Sequence, residues 1–171
     1  SYIYNSIKQN LIKEYENKCY GGYGLISKIY KIFIKDNPII SQEDNSASVR
    51  FNVDFTCKLY RPIRGQRIVA QIEKITKPLI KIESGPLKII STPDKINDDN
   101  FFVSNSFVMI KNKDESTIST PLKEKNYVVI LILAIKSFNK DDFITILGYI
   151  DRMATKDEIA QFTHENEDLI Y

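Results

Sequence analysis

The stretch Ala47-Ser48-Val49-Arg50-Phe51-Asn52-Val53-Asp54-Phe55-Thr56-Cys57-Lys58-Leu59-Tyr60-Arg61-Pro62-Ile63-Arg64-Gly65-Gln66 decides the fold. Every odd position from Val49 to Leu59 is apolar; between them stand Arg50, Asn52, Asp54, Thr56 and Lys58. Side chains alternate across a strand, so the run predicts one buried face and one polar face. On a helix the same residues would scatter round the axis, and Val, Phe, Thr and Tyr favour extended backbone. The alternation stops at Pro62, which has no amide for a ladder, and Gly65 follows. A second run then alternates through Ile68, Ala70 and Ile72. A strand passing through a Pro-x-x-Gly bend into another strand predicts a junction of two sheets. Val49, Phe51, Val53, Phe55 and Leu59 should be buried along a spine that both sheets share.

Upstream, Ser6-Ile7-Lys8-Gln9 has the form of a capping box, and Ile3, Ile7, Leu11 and Tyr15 recur every four residues. This predicts an amphipathic helix from about Asn5 to Glu16. Gly21-Gly22-Tyr23-Gly24 allows a tight turn, and Leu25 to Lys35 reads as a strand with Ile26, Tyr30, Ile32 and Ile34 on one side. The spine strand pairs back on it antiparallel, giving a helix on a small sheet.

Downstream, Ile68–Thr76, Leu79–Glu83 and Leu87–Ser91 are short strands separated by Lys77-Pro78 and Ser84-Gly85-Pro86. Thr92–Ile96 reads as a short helical turn, Phe101–Lys111 as an irregular strand, and Lys111–Pro121 as a polar excursion. Leu122–Lys136 and Phe143–Ile150 close the set. Five main strands with a break after the third are the pattern of an OB-type barrel. The tail from Thr155 to Tyr171 has only Ile159 and Phe162 as an apolar pair, and reads as a mobile or docking segment, helical in part.

A chain of 171 residues with 43% hydrophobic content can build one domain or two small ones. Its longest apolar run, Tyr127 to Ile135, is far short of the roughly 20 residues of a membrane helix. With no signal-peptide pattern, the expectation is an intracellular protein away from membranes. Cys19 and Cys57 make neither a disulfide framework nor a zinc site, and read as buried or half-buried free thiols. Net charge is +2, but the segment from Asp151 onward carries −4 and the body +6. A mildly basic body hints at a polyanion or an acidic partner surface.

Catalytic constellations are hard to assemble from these residues. The single histidine, His164, lies in the acidic tail. Gly21–Gly24 follows a helix and precedes a strand, the reverse of a phosphate cradle. Asp141-Asp142, Asp98-Asp99 and Glu43-Asp44 read as solvated turn carboxylates. No cofactor or metal is expected, and the chain reads as a binding protein. An OB barrel binds single strands through basic side chains and aromatic platforms. Candidates are Lys81 and Lys88 on the short strands, and Lys111 and Lys113 beside Phe101, Phe102 and Phe107.

Several motifs in order resemble one family. They are Glu16-Asn17-Lys18-Cys19, Gly21/Gly22-Tyr23-Gly24-Leu25-Ile26, Ala47–Val53, Lys58-Leu59-Tyr60-Arg61-Pro62-Ile63-Arg64-Gly65, Gly85-Pro86-Leu87-Lys88-Ile89 and Leu147-Gly148-Tyr149-Ile150. Together they resemble the stalk subunit of multisubunit DNA-directed RNA polymerases: the seventh subunit of RNA polymerase II and its archaeal counterpart. The resemblance implies an α+β chain, with a truncated ribonucleoprotein-type tip over 1–63, an OB-type β-barrel over 64–152 and an acidic tail over 153–171. It implies a non-catalytic subunit whose tip docks on the largest polymerase subunit and the small core subunit beside it. A fourth-subunit-type partner completes the stalk, and the barrel faces nascent RNA. Carried onto this sequence, the core contact falls on Lys18, Tyr20, Gly21, Gly22, Tyr23, Gly24, Tyr60, Arg61, Pro62, Arg64 and Gly65. The family opens with a strand before the helix, whereas here the helix starts almost at Ser1, so that strand either precedes the given residues or is lost; the tail is extra. The compositional bias suits a large DNA virus, giving a place in host cytoplasm and virion, or an AT-rich eukaryote, giving the nucleus. A free-standing OB-type single-strand or RNA-binding protein is the competing reading.

Overall fold

The computed structural model describes residues 1–35, 38–40, 49–112, 114 and 118–167. Helix α1 (Tyr2–Tyr15) begins where the Ser1 hydroxyl accepts from the Tyr4 amide at 3.2 Å. The predicted start at Asn5 is therefore one turn late, because Ser1 and not Ser6 supplies the cap. Its inward residues are Tyr4, Ile7, Leu11, Ile12 and Tyr15, while Ile3 is exposed.

Five strands follow: β1 (Lys18–Tyr20), β2 (Gly24–Ile34), β3 (Ile39–Ile40), β4 (Val49–Arg50) and β5 (Val53–Tyr60). β1, β2 and β5 form an antiparallel sheet in that order, and β3 pairs with β4 separately. The predicted spine is thus interrupted. Ala47 and Ser48 lie outside the described residues, Val49 is exposed, and Phe51 is half-buried between β4 and β5. Only Val53, Phe55 and Cys57 pack toward α1 as the alternation requires. Leu59 is 39% exposed, and the strand ends at Tyr60 instead of running on into the barrel.

The predicted inner face of β2 also needs correction. It is Ile26, Ile29 and Ile32, with Tyr30 and Ile34 exposed. The cause is two bulges, one between Ile26 and Lys28 and one between Ile29 and Lys31, each of which advances the side-chain phase by a residue. The Ile29 amide is satisfied by the Glu16 carboxylate at 3.0 Å and the Lys31 amide by the Thr56 hydroxyl at 3.3 Å. A period of two becomes a period of three.

The second half is a closed barrel of β6 (Arg67–Ile75), β7 (Ile80–Ser84), β8 (Leu87–Ser91), β12 (Tyr127–Lys136) and β13 (Ile144–Met153). β6, β7 and β8 are antiparallel neighbours, β8 pairs parallel with β13, and β12 closes the ring between β13 and β6. The five strands expected from the sequence thus close into a barrel, which is consistent with the OB-type pattern. Ala70, Ile72, Ile80, Ile82, Leu87, Ile89, Val128, Ile130, Ile132, Ile144, Ile146 and Ile150 fill it. Gly148 is required at its place, since a Cβ there would lie 2.6 Å from Ile130 Cγ2 and 2.7 Å from Ile89 Cγ2.

Between β8 and β12 the chain adds a small sheet of β9 (Phe101–Ser104), β10 (Phe107–Ile110) and β11 (Thr120–Pro121). The irregular strand predicted here is a hairpin, turned by Asn105 and Ser106 at positive φ. Phe101 anchors it in the barrel core. Thr92–Lys95 is a hydrogen-bonded turn rather than helix. Leu122 is held by its bond to the Val108 carbonyl, so β12 starts five residues later than predicted.

The tail forms helix α2 (Lys156–Glu167). Thr155 and Glu158 exchange the two bonds of a capping box, at 3.1 and 3.3 Å. Glu158 also takes a bidentate contact from Arg152, at 2.7 and 3.1 Å. Phe162 meets the ring of Tyr127 edge-on at 5.8 Å. α2 therefore lies against the outside of the barrel, packed on β6. Residues 168–171 lie outside the described residues.

Candidate functional site

Two sheets meet at a small set of bonds, and most residues singled out in the sequence sit around them. β1 does not end in solvent. The Cys19 amide donates to the Asp141 carbonyl at 2.7 Å, and the Lys140 amide donates to the Cys19 carbonyl at 2.8 Å. The Gly21 amide reaches Asn139 Oδ1 at 3.2 Å, and Lys140 pairs with Glu14 of α1 at 3.6 Å. The loop between β12 and β13 thus continues the N-terminal sheet by one short rung. The Cys19 thiol donates to the Phe143 carbonyl at 3.3 Å. Burial, helped by Asp141 and Asp142, pushes this thiol up and keeps it protonated. Cys57 is half-buried and free, as expected.

The turn from β1 to β2 brings the tyrosines together. Gly21 has φ +51°, and the Tyr23 amide donates to the Tyr20 carbonyl. Tyr20 and Tyr23 stack at 5.9 Å, and Tyr15 meets Tyr20 edge-on at 5.4 Å. Tyr20 and Tyr23 remain 41% and 63% exposed, with Gly22 beside them in the open. Lys18 reaches back to the Lys13 carbonyl and so closes the helix end.

β5 returns beside this turn. Leu25 faces Tyr60 across the ladder, and a Cβ on Gly24 would lie 2.4 Å from the Tyr60 carbonyl oxygen. Tyr60 packs against the barrel core, and burial, with Glu165 nearby, raises its hydroxyl above the ordinary value. Arg61, Ile63, Arg64 and Gly65 are exposed and Pro62 is half-buried. Gly65, at φ +85°, donates to the Ile132 carbonyl and starts the barrel. Of the residues expected at the core contact, Tyr20–Gly24, Tyr60 and Arg61 lie together, and Arg64 and Gly65 stand on the barrel side of the bend.

The other candidates are spread out. Lys81 and Lys88 are exposed on β7 and β8, with Lys88 Nζ 4.1 Å from the ring centroid of Phe143. Lys111 donates to the Asp98 carbonyl in the added sheet, and Lys113 lies outside the described residues.

A groove of about 740 Å³ escaped the sequence reading. One wall carries Lys58, Arg61 and Arg67, and the other is the α2 face with Glu158, Phe162 and Glu165. The Thr155-Lys156-Asp157-Glu158 capping box was the available signal for this helix. Among the described residues no group of three or more His, Cys, Asp or Glu side chains is placed to hold a metal ion. Among the described residues no helix is long and apolar enough to cross a membrane.

No protein-family model matches the chain. It is 26% identical over 161 residues to a DNA-directed RNA polymerase subunit of Acanthamoeba polyphaga mimivirus, covering 94% of this chain and 78% of that protein. It is 26% identical over 155 residues to DNA-directed RNA polymerase II subunit 7 of Dictyostelium discoideum, covering 85% and 88%. Against subunit 7 of RNA polymerase II from Arabidopsis thaliana it is 27% identical over 115 residues, covering 65% and 64%. The similarity to the seventh subunit that the motifs carried thus extends over most of the chain, and one of these relatives is viral.

Proposed function

We propose that this chain, similar along most of its length to seventh subunits of RNA polymerase II, is itself a stalk subunit of a DNA-directed RNA polymerase without a catalytic site of its own. The observation that carries the reading is the pairing of that similarity with an OB-type barrel behind a helix-backed sheet. Residues 1–63 serve as the tip, 64–152 as the RNA-facing barrel and 153–171 as an acidic extension.

The tip docks on the largest polymerase subunit and its small neighbour through Tyr20–Gly24 and the Tyr60–Gly65 bend. Exposed tyrosines beside arginines are the residue types that anchor interfaces. The bonds from Cys19 and Gly21 to the 139–141 loop support this role, because they hold the turn at a fixed angle to the barrel. The barrel meets nascent RNA through Lys81 and Lys88, with Lys111 and Lys113 as a second cluster. A fourth-subunit-type partner completes the stalk. The work site is the nucleus for a cellular polymerase, or host cytoplasm and virion for a viral one.

The test is Tyr23→Ala with Arg64→Ala in a tagged chain expressed alongside its polymerase. Both side chains are exposed, so the fold should persist while the core subunits are lost from the purified material at high salt. Full stoichiometry of the core with the double variant would overturn the docking assignment.

A further inference from the structure

A second cavity, of about 390 Å³, opens where the N-terminal sheet, the barrel and α2 come together. The N-terminal part lines it with Asn17, Leu25, Ser27 and Tyr60, the barrel with Gln71 and Glu83, and α2 with Phe162 and Asn166. Its size is that of a small-ligand site. Its charge is one-sided, because Glu83 is the only charged residue in the lining. Lys88 stands opposite Glu83 across the β7–β8 ladder, yet its ammonium lies 4.1 Å from the centroid of the Phe143 ring. Among the described residues no ion pair engages the Glu83 carboxylate. Gln71 faces Glu83 across the β6–β7 ladder, and its Nε2 donates to the Lys125 carbonyl at 3.3 Å, which leaves its Oε1 free to accept.

We infer that this cavity is a docking site for an arginine side chain of a protein partner. A guanidinium carries its donors in a planar fork, has no acceptor, and pairs with one carboxylate through parallel bonds. Glu83 is that carboxylate, and the amide oxygens of Gln71, Asn17 and Asn166 are acceptors for the remaining donors. The rings of Tyr60 and Phe162 add faces that attract the same cation. A lysine ammonium is more strongly hydrated and cannot form the paired bonds. A phosphate finds no cation in this lining, so the site is not one for nucleic acid. The larger groove shares Tyr60, Phe162 and Asn166 with the cavity and runs on past Arg61 and Pro62. A protein segment lying in that groove reaches the cavity with one side chain, which favours a protein-borne arginine over a free one. The site goes beyond the polymerase reading and is testable in the isolated chain.

The experiment follows the amide resonances of the isotope-labelled full chain as a Gly-Ser-Arg-Ser-Gly peptide, blocked at both ends, is added. Saturable shifts should appear at Ser27, Gln71, Glu83 and Asn166. The same peptide with citrulline, which keeps the shape and loses the charge, should bind about tenfold more weakly or worse. Glu83→Gln should weaken the arginine peptide by a similar factor, about tenfold. Glu83 is exposed, so the fold should persist, which an unchanged unfolding midpoint checks. Glu73→Gln, at another exposed carboxylate outside the cavity, should leave binding as it was. Equal binding of the arginine and citrulline peptides overturns the inference, and so does full binding by Glu83→Gln. An equal loss with Glu73→Gln overturns it too, because that is general attraction to acidic side chains. Binding of free arginine without any binding of the peptide would make this a metabolite site and overturn the docking assignment.

Discussion

A Cβ placed on Gly24 would stand 2.4 Å from the carbonyl oxygen of Tyr60, closer than any real side chain approaches a backbone atom. Gly24 also has φ +128°, a region that L residues rarely adopt. The close approach lets β5 end against the turn between β1 and β2, and so places Arg61 beside the exposed tyrosines. Gly24→Ala should therefore cost at least about 1–3 kcal/mol, from backbone strain alone. Urea unfolding measures it; a variant within a few tenths of a kcal/mol of the parent would show that β5 is free to move away.

The clasp on α2 should be acid-sensitive. Bonding to Arg152 and to the Thr155 amide lowers the Glu158 carboxyl from its ordinary 4.5 to about 2. A depressed carboxylate contributes its stability above the unfolded value and loses it as pH falls through the folded one. The helix should stay docked above about pH 4.5 and loosen progressively toward pH 2. Circular dichroism and protease cleavage within 156–167 follow the change. Glu158→Gln should be looser at pH 7 and nearly flat over that window, whereas identical profiles would remove Glu158 from the docking contact.

Phe162→Ala tests the other end of the same contact. The ring meets Tyr127 edge-on, so its loss should weaken docking by about 1–2 kcal/mol. Amide exchange should then speed up in α2 and not in β12. Exchange in α2 equal to that of the parent would mean that Phe162 takes no part in holding the helix.

Phe101 is fully buried and ties the added sheet to the barrel. Phe101→Ala should cost about 3–5 kcal/mol, the usual range for a large ring removed from a core. Phe51, expected from its alternation to behave the same way, is only half-buried and lies between strands, so its truncation should cost less. Measured in parallel by urea unfolding, the order Phe101 above Phe51 is the expected result.

The contrast between these two rings shows what the sequence could carry. The barrel was legible because β7 and β8 alternate without interruption, as at Ile80, Ile82 and Ser84. The N-terminal sheet was legible in its pairing but not in its faces. Two bulges in β2 turn Ile26, Ile29 and Ile32 inward and put Lys28, Lys31 and Phe33 on a common outer face. Nothing in a period of two announces that grouping; the Glu16 and Thr56 side chains that stabilise the bulges sit on other elements. The meeting of Gly24 with Tyr60 followed from antiparallel return. The bonds from Cys19 to Asp141 did not, since they join residues more than a hundred positions apart. Helix α2 was under-read because its apolar side is nearly one ring, while its capping box is a purely local signal at Thr155 and Glu158.

The central claim is membership of a polymerase, and native purification of the tagged full chain from the cells or virions that make it tests this most directly. Mass spectrometry of the purified material should find the two largest polymerase subunits in stoichiometric amounts, retained at high salt. Recovery of the chain alone, or with RNA and no large polymerase subunit, would contradict the account and leave a free-standing single-strand-binding barrel in its place.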